Sequence, residues 1–172
     1  RYGVESENAK EAWDIIIETI YSGSSSPSQV ILSTNPSLNT YGSRYSFTKV
    51  EKALQLLYED FDVLSHSECY RYDLTELMRQ IVSNYATELC GELQSAHTSG
   101  DVEAFRAKKE EFLAAFDLID EVTGTQQELL IGEWVGSAAN WAKDTGADDF
   151  AYDAMTINAK TIITVWAPTT YL

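Results

Sequence analysis

Apolar residues recur with the period of an α-helix through most of the chain. Near the N-terminus they follow Ser6, a candidate N-cap, at intervals of three and four residues. They form a stripe of Ala9, Ala12, Trp13, Ile16 and Ile20. The stripe predicts an amphipathic helix that stops at residues 22–23. Residues 23–45, which are rich in serine, then predict one long irregular loop, and a loop of that length inside a domain is usually functional or mobile.

Two further helices are predicted in the middle of the chain. The second helix follows Ser46, and its apolar side consists of Val50, Ala53, Leu54, Leu57 and Phe61. The third is expected to begin at Asp73, because Asp73 and Glu76 resemble a capping box, and to end at residues 98–100. Its apolar positions have near-heptad spacing and are Leu74, Leu77, Met78, Ile81, Val82, Tyr85 and Leu89.

Three more helices are predicted in the C-terminal half. Asp101 is expected to cap the fourth, which ends near residues 123–124 and carries the stripe Phe105, Phe112, Phe116 and Ile119. The fifth spans residues 125–143 and carries Leu130, Trp134, Ala138 and Trp141. Residues 148–165 end in β-branched residues that favour a strand by propensity, but no partner strand is visible, so we predict a sixth helix. The fold class is therefore all-α, a bundle of about six helices forming a single domain over residues 1–172.

Composition and charge exclude several classes of protein. Hydrophobic residues make up 44% of the chain and charged residues 23%, as in a globular domain, and no apolar run approaches the roughly 20 residues of a membrane span. Twelve basic residues stand against 27 acidic ones, a net charge of −15 that repels phosphate backbones, so we expect no nucleic-acid partner. The chain begins with Arg1 rather than methionine, and we expect it to be a portion excised from a larger protein.

The sequence lacks the common catalytic and metal-binding motifs. Neither His66 nor His97 has a neighbour at zinc-ligand spacing, and Glu-x-x-His pairs for a di-iron site are absent, so we expect no metal and no cofactor. Cys69 and Cys90 are predicted to lie about 25–30 Å apart, too far for a disulfide, with Cys90 a buried small hydrophobe. Glycosidase carboxylates cannot be recognised in this way, because the pair meets in space and not in sequence.

Four short motifs occur in order along the chain. They are Arg1-Tyr2-Gly3 with Ala12-Trp13, Arg71-Tyr72-Asp73-Leu74 with Arg79-Gln80, Leu130-Ile131-Gly132-x-Trp134, and Val165-Trp166-Ala167-Pro168. In order and spacing they resemble the all-helical C-terminal domain of the α-N-acetylglucosaminidases, glycoside hydrolase family 89. The resemblance covers nearly the whole chain except the loop at residues 23–45.

The resemblance implies a function for a larger parent protein. Members of the family are retaining exo-hydrolases that remove terminal α-linked N-acetylglucosamine from glycans, and their two catalytic carboxylates lie in a preceding (β/α) barrel. We therefore assign no catalytic residue to this segment and expect it to be inactive alone. Its implied partners are the catalytic barrel of the same protein and the glycan. The implied localisation is secreted, periplasmic or lysosomal.

The resemblance also implies two substrate-binding residues. Trp166 would present its indole face to the sugar, and Leu172 would be a second, apolar pocket residue. Position 167 is alanine where the family commonly has glycine. The other three tryptophans, on predicted helix stripes, are expected in the core. Whether Arg71 and Arg79 pair with nearby acids or meet the barrel stays open.

Two alternatives remain. One is a helical module that binds another protein through the 23–45 loop or through a groove between the second and third helices. The other is a purely structural bundle. A broad apolar surface beside Trp166 would favour the glycosidase reading over both.

Overall fold

The described part of the chain is helical. The computed structural model describes residues 1–22 and 45–161, and within these ranges it contains seven α-helices, a 3₁₀ turn and no strand. The helices are α1 (Glu7–Thr19), α2 (Phe47–Glu59), α3 (Phe61–Leu64), α4 (Glu68–Ser99), α5 (Val102–Thr123), α6 (Ile131–Asp144) and α7 (Asp149–Thr161). The all-α prediction is confirmed, with the short α3 as an additional helix. The predicted loop lies outside the described residues except at Tyr45.

The described residues divide into two compact units. The first comprises residues 1–22 and 45–123, and the second comprises residues 124–161. In the first unit α1 packs against α2, α2 against α3 and α4, and α4 against α5. In the second unit the 3₁₀ turn (Gln127–Leu129) packs beside α6, and α6 packs against α7. That residues 1–172 form a single domain stays a prediction.

The core of the first unit lies where α1, α2 and the N-terminal half of α4 meet. Its buried residues are Tyr2, Ala9, Ala12, Ile16, Val50, Ala53, Leu56, Leu57, Leu64, Tyr70 and Leu77. Most of the stripes predicted on the first two helices are therefore confirmed. Phe61 is exposed, against prediction, because α2 ends at Glu59 and Phe61 begins α3. Burying one large apolar side chain is worth about 1.5–3 kcal/mol, so this cluster dominates the stability of the unit.

A smaller cluster joins α4 to α5. It consists of the buried residues Ala86, Cys90 and Ala115, with Val82 and Phe112 packed against them. The predicted burial of Cys90 is confirmed, and burial raises the pKa of its thiol. Cys69 is exposed, and no disulfide joins it to Cys90. Because α5 packs chiefly against α4, the predicted stripe of α5 is only partly covered, and Phe116 is exposed.

Several predicted helix ends are confirmed by their hydrogen bonds. The Ser6 hydroxyl accepts a hydrogen bond from the Ala9 backbone N–H at 2.8 Å and caps α1. The Asp101 carboxylate accepts one from the Ala104 N–H at 2.9 Å at the start of α5. Gly100, directly before Asp101, ends α4 in the left-handed conformation, with φ of 74°, which a residue with a side chain rarely adopts.

The predicted start of the long helix at Asp73 is wrong. Helix α4 begins at Glu68, because Tyr70, one turn before Asp73, is fully buried and donates a hydrogen bond from its hydroxyl to the Leu57 carbonyl at 2.7 Å. This tertiary contact extends the helix upstream. Asp73 therefore lies inside α4 and does not cap it. On the predicted stripe, Tyr85 is exposed, because α4 packs against α2 in its first half and against α5 in its second.

The fifth predicted helix starts later than expected. Residues 127–129 form a 3₁₀ turn, and Leu130 is extended, so α6 begins at Ile131 and ends at Asp144, close to the predicted end. Helix α7 confirms the choice of helix over strand up to Thr161, whereas residues 162–165 lie outside the described residues. Within residues 1–22 and 45–161, no helix combines the length and the apolar character needed to cross a bilayer.

Candidate functional site

Residues of the first two motifs meet in the first unit. The Asp73 carboxylate accepts two hydrogen bonds from the Arg1 guanidinium and one from the Tyr2 hydroxyl, at 2.9 Å. The Tyr2 oxygen in turn accepts a hydrogen bond from Trp13 Nε1 at 2.8 Å. The Arg1 guanidinium lies 5.3 Å from the centre of the Trp13 ring. We call these four residues the N-terminal clasp, and they tie the first residues of the chain to α1 and α4.

The clasp is electrostatically compensated. The Asp73 side chain is only 9% exposed, and the hydrogen bonds to Asp73 raise the pKa of Arg1, so the guanidinium stays charged. Burial raises the pKa of the Tyr2 phenol to about 12, so the hydroxyl is neutral at physiological pH and donates to the carboxylate. The clasp thus holds one positive and one negative charge, with a neutral hydroxyl linking Asp73 to Trp13.

Raising the pH should weaken the first unit through Tyr2. Because its folded pKa of about 12 exceeds the ordinary value of 10, its contribution is complete below pH 10 and is lost as the pH rises through 12. Between pH 10 and 12, the unfolding free energy of the wild-type chain should fall by roughly 1–2 kcal/mol more than that of Tyr2→Phe, which lacks this phenol. Urea unfolding at several pH values measures it. Tyr70, whose pKa is also raised by burial, is present in wild type and in Tyr2→Phe, so its effect on the pH dependence cancels in the comparison. Superimposable pH curves would contradict the expectation.

Two clefts flank the clasp. One, of about 450 Å³, lies between α1 and α4, and its wall includes Trp13, Tyr21, Tyr72, Asp73, Glu76 and Arg79. The other, of about 500 Å³, lies along the start of α1. Arg1 and Trp13 line both clefts. The clasp therefore forms a shared wall between two concave surfaces of the first unit.

Both arginines of the second motif have local partners, and only Arg79 pairs with an acid. Arg79 donates two hydrogen bonds to the Glu76 carboxylate one turn earlier on α4, each at 3.0 Å. Arg71 donates to the Ser65 carbonyl at 2.7 Å, near the start of the same helix. Both side chains thus have partners within the first unit.

Among the described residues, no three histidine, cysteine or acidic side chains are grouped so that they could hold a metal ion.

The second unit presents an apolar groove between α6 and α7. Its volume is about 370 Å³, and it is lined by Trp134, Ser137, Ala138, Trp141, Met155, Asn158 and Ala159. Trp134 Nε1 donates to the Ala159 carbonyl at 2.9 Å, which fixes the indole against α7. Phe150 and Ile157 add further exposed apolar surface on α7.

The prediction that all three helix tryptophans are core residues is wrong for two of them. Trp134 is 50% exposed and Trp141 is 64% exposed, whereas Trp13 is partly buried against the main core. Helical spacing correctly placed Trp134 and Trp141 on one face of α6. It could not tell whether another element covers that face, and α7 covers it only in part.

The two sequence-predicted pocket residues, Trp166 and Leu172, lie outside the described residues. Helix α7 is described up to Thr161, five residues before Trp166. The clasp is the arrangement that sequence reasoning missed. Arg1, Tyr2, Trp13 and Asp73 all belonged to the quoted motifs, but nothing in the sequence showed that residues 71 positions apart would share hydrogen bonds.

Comparison with known proteins places the whole chain in one family of domains. Residues 1–172 match the model of the α-N-acetylglucosaminidase (NAGLU) C-terminal domain. Human α-N-acetylglucosaminidase is 29% identical over 174 residues, a match that covers 98% of this chain and 23% of the human protein.

Solved structures of a bacterial enzyme have the same fold. The family 89 glycoside hydrolase of Clostridium perfringens, in complex with 2-acetamido-1,2-dideoxynojirimycin, superposes with a TM-score of 0.82 at 28% identity. A variant of the enzyme from that bacterium, in complex with its substrate GlcNAc-α-1,4-galactose, superposes with a TM-score of 0.84 at 26% identity. Each match covers 96% of this chain and 20% of the bacterial one, so the chain spans about a fifth of its relatives' length. The chain belongs to the family of α-N-acetylglucosaminidase C-terminal domains found in family 89 glycoside hydrolases.

Proposed function

We propose that this chain is the C-terminal helical domain of a retaining exo-α-N-acetylglucosaminidase. The observation that carries the proposal is the family match over all 172 residues. It is supported by the substrate of the bacterial relative, GlcNAc-α-1,4-galactose, which ends in an α-linked N-acetylglucosamine. The catalytic carboxylates belong to a barrel elsewhere in the parent protein, and the parent acts in a secreted, periplasmic or lysosomal setting.

We propose further that the second unit docks on that catalytic barrel. Trp134 and Trp141 are exposed on α6 and line the apolar groove between α6 and α7, and Phe150 and Ile157 are exposed elsewhere on α7. Soluble monomers rarely expose more than a few hundred Å² of contiguous apolar surface unless something binds there. Because this chain spans only about a fifth of its relatives' length, the remainder of the parent protein supplies a partner of the required size.

In this proposal, Trp166 and Leu172 complete the sugar pocket. Trp166 is the fifth residue after Thr161, a distance of at most about 17 Å along an extended chain. Trp166 is therefore within reach of the proposed docking surface on α6 and α7. Pro168 disfavours a helical conformation for the residue before it, which fits a segment that turns towards a neighbouring domain. An indole stacked on the sugar ring, with Leu172 as a second apolar contact, would hold the terminal residue for cleavage.

Replacing Trp166 by alanine in the full-length parent enzyme tests the pocket role. We expect kcat/KM for an aryl α-N-acetylglucosaminide to fall about 10- to 100-fold, a loss of roughly 1.4–2.7 kcal/mol of transition-state stabilisation. Thermal unfolding should remain cooperative. Tyr58→Ala, which removes an exposed aromatic side chain from α2 in the first unit, is the control and should retain wild-type kinetics. Unchanged kinetics for Trp166→Ala would exclude the pocket role.

Measurable hydrolysis by the pure 172-residue chain would refute the assignment of catalysis to the barrel.

A further inference from the structure

We propose that the cleft between α1 and α4 is a carbohydrate-binding site that takes an uncharged glycan. Its wall includes Arg1, Trp13, Tyr21, Asp73, Glu76 and Arg79, and we call it the Trp13 cleft. The inference rests on the proposed function for its class of ligand. Its position and its chemistry come from the first unit alone.

The shape and aromatic wall of the Trp13 cleft suit a sugar. Its volume of about 450 Å³ falls within the range of small-molecule pockets, roughly 300–1,000 Å³. Trp13 is held in one orientation by its hydrogen bond to Tyr2 and by the Arg1 guanidinium over its ring. Tyr21 stands at the rim and is 67% exposed. Rings of this kind offer apolar faces to the C–H surface of a pyranose and polar edges to its hydroxyls.

The charged groups of the cleft are balanced. Two guanidinium groups and two carboxylates line it, paired as Arg1 with Asp73 and Arg79 with Glu76. Each guanidinium has five N–H donors and a carboxylate about four acceptor positions, so Arg1, Arg79 and Glu76 keep hydrogen-bonding capacity beyond their ion pairs. The Asp73 carboxylate already accepts three hydrogen bonds and is nearly buried. Sugar hydroxyls donate and accept hydrogen bonds, so they can bind to the remaining donors and to the remaining acceptor positions. Because no charge in the Arg1, Asp73, Glu76 and Arg79 set is left over, an anionic ligand gains no counter-ion there.

A protein segment is the less suitable occupant. The α6–α7 groove is lined mainly by apolar side chains, as expected for docking against another domain, whereas the Trp13 cleft combines two ion pairs and aromatic rings with the aliphatic side chains of Ile16, Ile20 and Leu77. Covering the Arg79–Glu76 pair with protein would require replacing its solvent contacts, which is costly unless new hydrogen bonds form. The chain's net charge of −15 also disfavours sulfated or phosphorylated glycans.

The test is an NMR titration of the 172-residue chain with GlcNAc-α-1,4-galactose. The four tryptophans each give an indole N–H signal, and Trp13→Phe assigns the one from the cleft. We expect the Trp13 signal to shift saturably, with a dissociation constant on the order of 1 mM. Tyr21→Ala should weaken binding at least about fivefold, since it removes one ring of the wall. The control is Tyr58→Ala, because Tyr58 is 66% exposed, almost the same as Tyr21, and lies on α2, away from the cleft.

Repeating the titration in a Trp166→Ala background separates this proposal from the proposed function. A Trp13 shift that persists there supports the cleft, whatever the effect of Trp166→Ala on turnover by the parent enzyme. In the wild-type chain, a shift confined to the Trp166 signal would overturn the cleft proposal and leave the pocket proposal standing. Equal weakening by Tyr21→Ala and Tyr58→Ala would overturn it too, as would tighter binding of N-acetylglucosamine 6-sulfate than of the neutral disaccharide. Cooperative unfolding of each variant confirms that it is folded.

Discussion

Tyr70→Ala is expected to lower the unfolding free energy of the first unit by about 3–5 kcal/mol, as for other large aromatic side chains removed from a core. Tyr70 is fully buried, with its ring edge-on to Tyr2 at 5.5 Å and 6.3 Å from Phe61. Its hydroxyl donates to the Leu57 carbonyl at 2.7 Å. The substitution leaves a cavity between α2 and α4 and removes one of the two hydrogen bonds recorded at the Leu57 carbonyl, the other coming from the Asp60 N–H. Urea unfolding followed by circular dichroism at 222 nm, a signal of helix content, measures the loss.

Tyr70→Phe separates the ring from its hydroxyl. It keeps the ring contacts and removes only the hydrogen bond to Leu57, so we expect a loss of about 0.5–1.5 kcal/mol. Tyr58→Ala, at an exposed position on the neighbouring helix, should change stability by less than about 0.5 kcal/mol. If Tyr70→Ala cost no more than Tyr70→Phe, the ring would not be a core element and the account of where α4 begins would be wrong.

Asp73→Ala should have the second-largest effect, a loss of about 2–4 kcal/mol. The substitution removes the acceptor for both Arg1 and Tyr2, and hydrogen bonds to charged groups contribute roughly 1.5–3 kcal/mol each. Removing one partner of a fully buried ion pair would cost more. Here the Arg1 side chain is about half exposed, so the guanidinium left behind can be hydrated. Thermal and urea unfolding measure the change. Asp117→Ala, which removes an exposed carboxylate from α5, is the matched control and should be nearly neutral.

A double-mutant cycle tests whether the clasp acts as a unit. We expect Asp73→Asn and Arg1→Met to show a coupling free energy of about 1 kcal/mol or more, because the two side chains share hydrogen bonds. Adding Tyr2→Phe to Asp73→Asn should likewise cost less than the sum of the two changes. Strict additivity in both pairs would mean that the observed contacts contribute no interaction energy, and the clasp would then be a geometric coincidence.

Local chemistry predicted the elements whose signals are contained in a few neighbouring residues. Ser6 and Asp101 cap their helices through their own side chains, and Gly100 ends α4 because its backbone reaches positive φ. The stripes on α1 and α2 also followed from spacing alone. In each case the deciding interaction lies within one or two helical turns, so the sequence contains it completely.

The errors arose where a distant residue decided the outcome. Asp73 has the pattern of a cap, yet the burial of Tyr70 against α2 carries the helix past it, and Arg1 and Tyr2 take up its carboxylate. Trp134 and Trp141 have the pattern of a core stripe, yet α7 leaves much of each indole exposed. Spacing shows which side chains share a face and is silent on what covers that face.

The sequence by itself determined the all-α class, most helix limits, the excess of negative charge and, through four motifs, the family. Only the tertiary structure decided that the N-terminal motifs close into a clasp beside an aromatic cleft, and that the α6 tryptophans face outwards. The physical reason is the range of the interactions. Capping and amphipathic spacing act over a few residues, whereas ion pairing and burial join side chains far apart in sequence and depend on how the helices pack.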